Sequence, residues 1–154
     1  MSDLRALYQE VLLDHYRKPR NFGALPSPTG RAEGHNPLCG DRVKVEVGVE
    51  GDRLAEIGFS GSGCAISIAS ASLMSEAVRG STLAEVERLS ERFRAALTGA
   101  PVAGDDLGKL ETLVGVREFP MRVKCATLAW HALAAALATP IAAAPVAAPA
   151  VSTE

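Results

Sequence analysis

The chain reads as an α+β domain, a small three-stranded antiparallel sheet packed against helices. Three observations predict this. Val43, Val45, Val47 and Val49 alternate with Lys44, Glu46 and Gly48, the period of a strand with one buried face. The segments after residue 65 carry helical rather than strand patterning. Strands come first and helices after, instead of alternating as they do in a parallel α/β core. With 154 residues, 47% of them hydrophobic, the chain is long enough for one domain with a substantial core.

Leu4, Leu7, Tyr8, Val11 and Leu12 recur at helical spacing and predict an amphipathic helix over about residues 3–16, ending before Pro19. Pro19, Gly23, Pro26, Pro28 and Gly30 make residues 17–31 an extended, mostly irregular connection. The valine strand follows, then a turn at Glu50-Gly51-Asp52 and a second strand marked by Leu54, Ile57 and Phe59. A third short strand is expected near Ser62–Ala65, and an earlier segment could also pair with this meander, at a place the sequence does not mark. Ile66 to Val78 is an apolar helix ended by Gly80. Thr82 and Glu85 form a capping-box pattern for a helix reaching about Leu97. Gly99, Pro101 and Gly104 make a loop, and Leu107, Leu110, Leu113 and Val114 suggest a short helix. Pro120 stands at the first-turn position of the last helix, one side of which carries Cys125, Leu128, Ala129, Ala132, Leu133 and Ala136. The domain is expected to span residues 1–138. Pro140, Pro145 and Pro149 interrupt any helix beyond it, so residues 139–154 read as a disordered Ala/Pro-rich tail.

Charge excludes some classes of function. Eighteen acidic and sixteen basic residues leave a formal net charge of -2, which points to no nucleic-acid partner. The N-terminus runs straight into an amphipathic pattern, without the flanks of a signal peptide. The apolar stretch from Ala126 to Ala138 is too short to span a bilayer and contains His131. A cytoplasmic location, where thiols stay reduced, is the expectation.

The chemistry lies in three cysteines, Cys39, Cys64 and Cys125. An odd number leaves at least one thiol outside any internal disulfide. Asp41 is two residues from Cys39, so in an extended segment both side chains point the same way, and Gly40 between them permits a tight turn. Cys64 precedes a helix and Cys125 lies near the start of the last one, positions that favour a thiolate. Three thiolates and a carboxylate carry four negative charges, whose convergence requires a cation. Zinc suits such a tetrahedral set, and an iron–sulfur cluster or Fe2+ also accepts it; the ligands alone do not separate these. Scattered buried cysteines are the plainer reading, but that leaves Asp41 beside Cys39 in a glycine turn unexplained. A set with one weaker oxygen donor can open and free a thiolate to take sulfur from a persulfide. Cys39, in the most loop-like segment, is the candidate acceptor.

Four stretches together resemble the SufU proteins, relatives of the IscU-type (NifU N-terminal-like) iron–sulfur scaffolds. They are Asp14-His15-Tyr16-Arg17-Lys18-Pro19-Arg20-Asn21-Phe22-Gly23, Asn36-Pro37-Leu38-Cys39-Gly40-Asp41, Gly61-Ser62-Gly63-Cys64-Ala65-Ile66-Ser67, and Arg122-Val123-Lys124-Cys125-Ala126-Thr127-Leu128-Ala129-Trp130. The resemblance covers roughly residues 3–137. Two features favour the SufU branch: Lys124 stands where IscU-type scaffolds carry a histidine, and residues 101–120 look like the SufU insertion between the second and third cysteines. The resemblance implies an IscU/SufU-like fold and a zinc ion on Cys39, Asp41, Cys64 and Cys125. It further implies sulfur transfer from a PLP-dependent, SufS-like cysteine desulfurase. In that picture a histidine of the desulfurase replaces Cys39 on zinc, Cys39 takes the sulfane sulfur, and a downstream scaffold or apo-protein receives it. It favours a functional role for Arg122 near the site; Lys124 adds a second nearby positive charge, and both are expected as auxiliary residues unless they are simply solvated charge. The alternative within the family is a scaffold on which a cluster is assembled and passed on. A module that only holds iron or regulates a desulfurase would use the same ligands. His15 is expected to be a surface or capping residue, His35 to pack beside Cys39, and His131 to be structural.

Overall fold

The computed structural model describes residues 2–37, 39–99, 107–138 and 150–152. Helix α1 (Ser2–Arg17) leads into β1 (Gly30–Asn36), β2 (Asp41–Glu50) and β3 (Arg53–Ser62). Helices α2 (Ala65–Val78) and α3 (Leu83–Leu97), a 3-10 helix (Gly108–Glu118), α4 (Pro120–Ala138) and the short β4 (Ala150–Ser152) complete the order. The strand order is β3-β2-β1-β4. The first three strands form the expected antiparallel sheet, with Val45 opposite Ala32 on one side and Phe59 on the other. Two consecutive hairpins join them, the second turning at Gly51, whose φ of 62° suits glycine.

The third antiparallel strand is β1, not a segment at Ser62–Ala65, where β3 ends and the chain passes through Gly63 and Cys64 into α2. Its sequence hides it. The residues it buries are Gly30, Ala32, Gly34 and Asn36, so the alternation is small against large rather than apolar against polar. The small residues are needed because α4 runs against this strand. A Cβ on Gly34 would stand 3.0 Å from a Leu128 methyl, and one on Gly30 would collide with the Ala136 carbonyl. The expectation of a structureless tail fails at Ala150–Ser152, which pairs in parallel with Glu33–His35: three residues without proline can extend the open edge of β1. Residues 139–149, 153 and 154, where the rest of that expectation falls, lie outside those described.

Val43, Val45, Val47, Leu54, Ile57 and Phe59 meet Leu128, Ala129, Leu133 and the apolar side of α2 in one continuous core. Phe93 of α3 stacks on Trp130 of α4 at 4.9 Å. The face of β2 expected to be polar is covered at Glu46, which is 6% exposed, pairs with Arg31 at 3.2 Å and accepts the Leu25 amide at 3.1 Å. The irregular connection therefore packs on the sheet and, together with Arg31 of β1, supplies the donors that a buried carboxylate needs. The predicted capping box forms as written, Glu85 N–H donating to Thr82 Oγ1 at 3.2 Å and Thr82 N–H to Glu85 Oε1 at 3.0 Å. The segment Leu107–Val114 becomes a 3-10 rather than an α-helix and extends to Glu118, burying Leu110, Leu113, Val114 and Val116.

His15 is not on the surface. It is 2% exposed, with Nδ1 2.7 Å from the Ser72 hydroxyl and Nε2 3.5 Å from Glu76. The same hydroxyl accepts the Arg20 amide at 2.9 Å, which leaves its proton for Nδ1. Asn21, in the left-handed region at φ 57°, donates from its side chain to Ser75 at 2.9 Å. Together these bonds fasten the end of α1 and the following turn to α2. No helix among the described residues is long and apolar enough to cross a membrane.

Candidate metal centre

The end of the β1–β2 hairpin, the β3–α2 junction and the second turn of α4 converge. The Asn36 carbonyl accepts the amides of Cys39 at 3.3 Å and Gly40 at 2.8 Å, closing the hairpin tip, and Gly40 takes φ 74°, where a side chain would be strained. Cys39 is half-buried at that tip, and Asp41, the first residue of β2, is fully buried. Asp41 Oδ1 accepts the Cys64 amide at 2.9 Å. Gly63 makes room for this contact, since a Cβ there would meet the carboxylate, with Cγ only 3.0 Å away. Cys64 is the N-cap of α2, its sulfur accepting the Ser67 amide at 3.4 Å. The helix start therefore faces the Cys64 sulfur, as its sequence position suggested.

Donor atoms of Cys39, Asp41 and Cys125 all lie within 4.8 Å of one another. The Cys125 and Cys39 sulfurs are 3.5 Å apart, and the Cys64 sulfur, which is not in that mutual cluster of three, is 3.9 Å from Asp41 Oδ2. A tetrahedral zinc ion with Zn–S near 2.3 Å and Zn–O near 2.1 Å sets S···S edges of about 3.8 Å and S···O edges of about 3.5 Å. Both observed separations lie within a few tenths of an ångström of those edges. Softness and number of the donors, and the spacing of Cys39, Asp41 and Cys125, therefore fit such an ion, with the Cys64 sulfur beside Asp41 as the fourth donor.

Cys125 departs from the expectation drawn from its helix. It is 0% exposed and sits in the second turn, beyond the first-turn amides. Burial pushes its thiol pKa up, and hydrogen bonds to Asp41 and Cys39, with Cys64 nearby, push it further. Both effects favour the protonated thiol, and a bound metal would oppose them by taking the proton's place. Arg122, one turn before Cys125 and exposed, has its guanidinium pKa raised by the sulfurs of Cys64 and then Cys125, so its charge stands beside the centre. Lys124 is half-buried on α4, about 100° around the helix from Cys125. His35 pairs with Arg42 in the sheet. His131 is half-buried, and burial, then Arg94, lowers its pKa.

Two neighbours escaped the sequence reading. Asn36, 0% exposed, places Nδ2 4.0 Å from the Cys125 sulfur. Ser67, also 0% exposed, adjoins Cys64 through its amide, and its hydroxyl finds no partner among the described residues. The only signal was membership in the cysteine-bearing stretches.

The description NifU-like N terminal domain matches residues 7–140 of the chain. The zinc-dependent sulfurtransferase SufU of Bacillus subtilis is 41% identical over 133 residues, covering 86% of this chain and 90% of that protein. The iron–sulfur cluster assembly scaffold protein IscU of Streptococcus pyogenes is 39% identical, covering 89% and 86%. Among solved structures, a SUF-system scaffold protein described as putative, from Fervidobacterium islandicum, superposes with a TM-score of 0.80 at 32% identity, covering 86% of this chain and 98% of that one.

Proposed function

Because the chain belongs to the family of the NifU-like N-terminal domain, we propose that it is a zinc-dependent sulfur acceptor of iron–sulfur cluster assembly. In this reading it takes persulfide sulfur from a PLP-dependent cysteine desulfurase. The observation that carries the proposal is the convergence of Cys39, Asp41 and Cys125 within 4.8 Å, with the Cys64 sulfur at Asp41. Its likeness to the Bacillus subtilis protein of that description supports it. Bound zinc supplies a redox-inert positive charge that keeps the sulfurs deprotonated.

The chain's own residues divide the remaining work. Cys125 is buried and Cys64 is held as a helix cap, whereas Cys39 sits half-exposed on a hairpin tip that can move without disturbing a helix. Cys39 is therefore the thiolate that reacts. Its sulfur attacks the outer sulfur of the desulfurase persulfide; a new S–S bond forms on Cys39, the old one breaks, and the desulfurase cysteine leaves as a thiolate. Arg122, exposed beside the sulfurs, offsets the negative charge of the incoming persulfide.

The test is sulfide release by the cognate desulfurase, with zinc-loaded protein, cysteine and a mild reductant. Turnover should rise strongly, Cys39→Ala should abolish the rise, and mass spectrometry should find the extra sulfur on Cys39. Sulfur found only on Cys64 or Cys125 refutes the assignment. The scaffold reading has its own support in the Streptococcus pyogenes relative. It replaces this one if turnover does not rise and a stable cluster forms from iron and sulfide.

A further inference from the structure

Asn36 touches the centre twice, and neither contact belongs to a ligand. Its carbonyl closes the hairpin tip that carries Cys39, and its side-chain amide donates toward the Cys125 sulfur. Both Asn36 and Cys125 are 0% exposed, so water does not compete for this contact. Cys64 has an N–H donor of its own, the amide of Ser67. Among the described residues, the Cys39 sulfur meets the Cys125 thiol, 3.5 Å away, rather than an N–H group. Among the described residues the three sulfurs are thus unequal: Cys64 and Cys125 face N–H groups and Cys39 does not.

We propose that Asn36 is a positioning residue that decides which sulfur leaves the metal, by donating an amide hydrogen bond to Cys125 and not to Cys39. An N–H bond stabilises the charge on a thiolate and lowers its nucleophilicity. Cys64 and Cys125 are the damped, retained ligands, and Cys39 is the electron-rich one that exchanges. The inference rests on the metal centre proposed above, and it extends that reading by giving a cause for the choice among three chemically identical side chains.

Cobalt(II) in place of zinc tests it on the full chain without any desulfurase. The visible bands of tetrahedral cobalt report the ligand count, and the near-ultraviolet thiolate-to-cobalt band reports how electron-rich the sulfurs are. Asn36→Leu, of similar volume but without a donor, should keep the visible bands and move the thiolate band to lower energy. Limited treatment of the loaded protein with methyl iodide, read by peptide mass spectrometry, should raise the share of label on Cys125 relative to Cys39 by about tenfold, the scale of one hydrogen bond to a charged acceptor. A thiolate band that does not move while the visible bands persist overturns the proposal. Should Asn36→Leu not fold, the native chain loaded with cadmium-113 gives the answer. A scalar coupling between the metal and the Asn36 side-chain protons is expected, and its absence overturns the proposal. If native protein shows no thiolate–cobalt band at all, the metal centre itself is refuted, and the inference falls with it.

Discussion

Asp41 does two things at once, and two substitutions separate them. Its Oδ1 accepts the Cys64 amide at 2.9 Å, fixing the start of α2, while Oδ2 faces the Cys64 sulfur at 3.9 Å as the proposed fourth donor. Asp41→Asn keeps the shape and one acceptor oxygen but removes the charge. Asp41→Ala removes both. In metal-free protein the Asn variant should unfold within about 1 kcal/mol of native, because the 2.9 Å hydrogen bond survives and a buried charge is relieved. The Ala variant should lose a further 1–3 kcal/mol or so, the usual cost of an unpartnered amide in a site this closed. Zinc affinity, by competition with a chromogenic chelator, should fall by about 100-fold or more in both, since losing a ligand exceeds the roughly 10–100-fold effect of losing a group that merely orients one. Urea unfolding of the chelator-treated proteins supplies the stabilities. Equal stability of the two variants would refute the capping role, and native zinc affinity in Asp41→Asn would refute the ligand role.

Other expectations follow from the packing. Burial first, then the charge of Arg20, lowers the pKa of His15, and His131 shifts the same way by burial and Arg94. Both histidines bind a proton more readily unfolded than folded, so their contribution to stability is complete above about pH 6.5 and is lost as pH falls through that value toward the folded pKa. Urea midpoints of metal-free protein should therefore drop on the acid side of neutrality, and His15→Gln should flatten part of the drop; an unchanged slope would show that His15 is not the group responsible. Gly30→Ala should cost more than Gly34→Ala, because the first Cβ meets backbone, the Ala136 carbonyl, and the second meets a movable Leu128 methyl. A difference of about 1–2 kcal/mol by urea unfolding is the scale of overpacking, and the reverse order would contradict the placement of α4 on β1.

What could be read from the sequence follows from how strongly each feature marks its own residues. The valine strand and the capping box of α3 are local signals, and both stand as expected. Strand β1 is specified by what it must avoid, bulk beneath α4, and small residues carry no periodic signature. The buried place of His15 depends on Ser72, 57 residues away, which no local pattern announces. At the candidate centre, the cysteines and Asp41 stood out as candidate donors because their chemistry is rare and their stretches specific. The raised pKa of Cys125 was not, since it comes from burial among groups drawn from three separate segments. Asn36 carried no signal beyond its place in the Cys39 stretch, and the approach of α4 gives its amide a sulfur to face.

The spacing of the donors along the chain also bears on folding. In the proposed centre one ion ties residue 41 to residue 64 and to residue 125, closing loops that span most of the domain and removing conformational freedom mainly from the unfolded chain. Cys39 and Asp41 close nearly the same loops, because they are only two residues apart. Letting go of Cys39 therefore opens none of them: Asp41 still holds the hairpin to the two helices. The protein can lend out one sulfur while its long-range crosslink stays closed, a redundancy that a ligand placed alone in its segment, such as Cys64 or Cys125, would not provide.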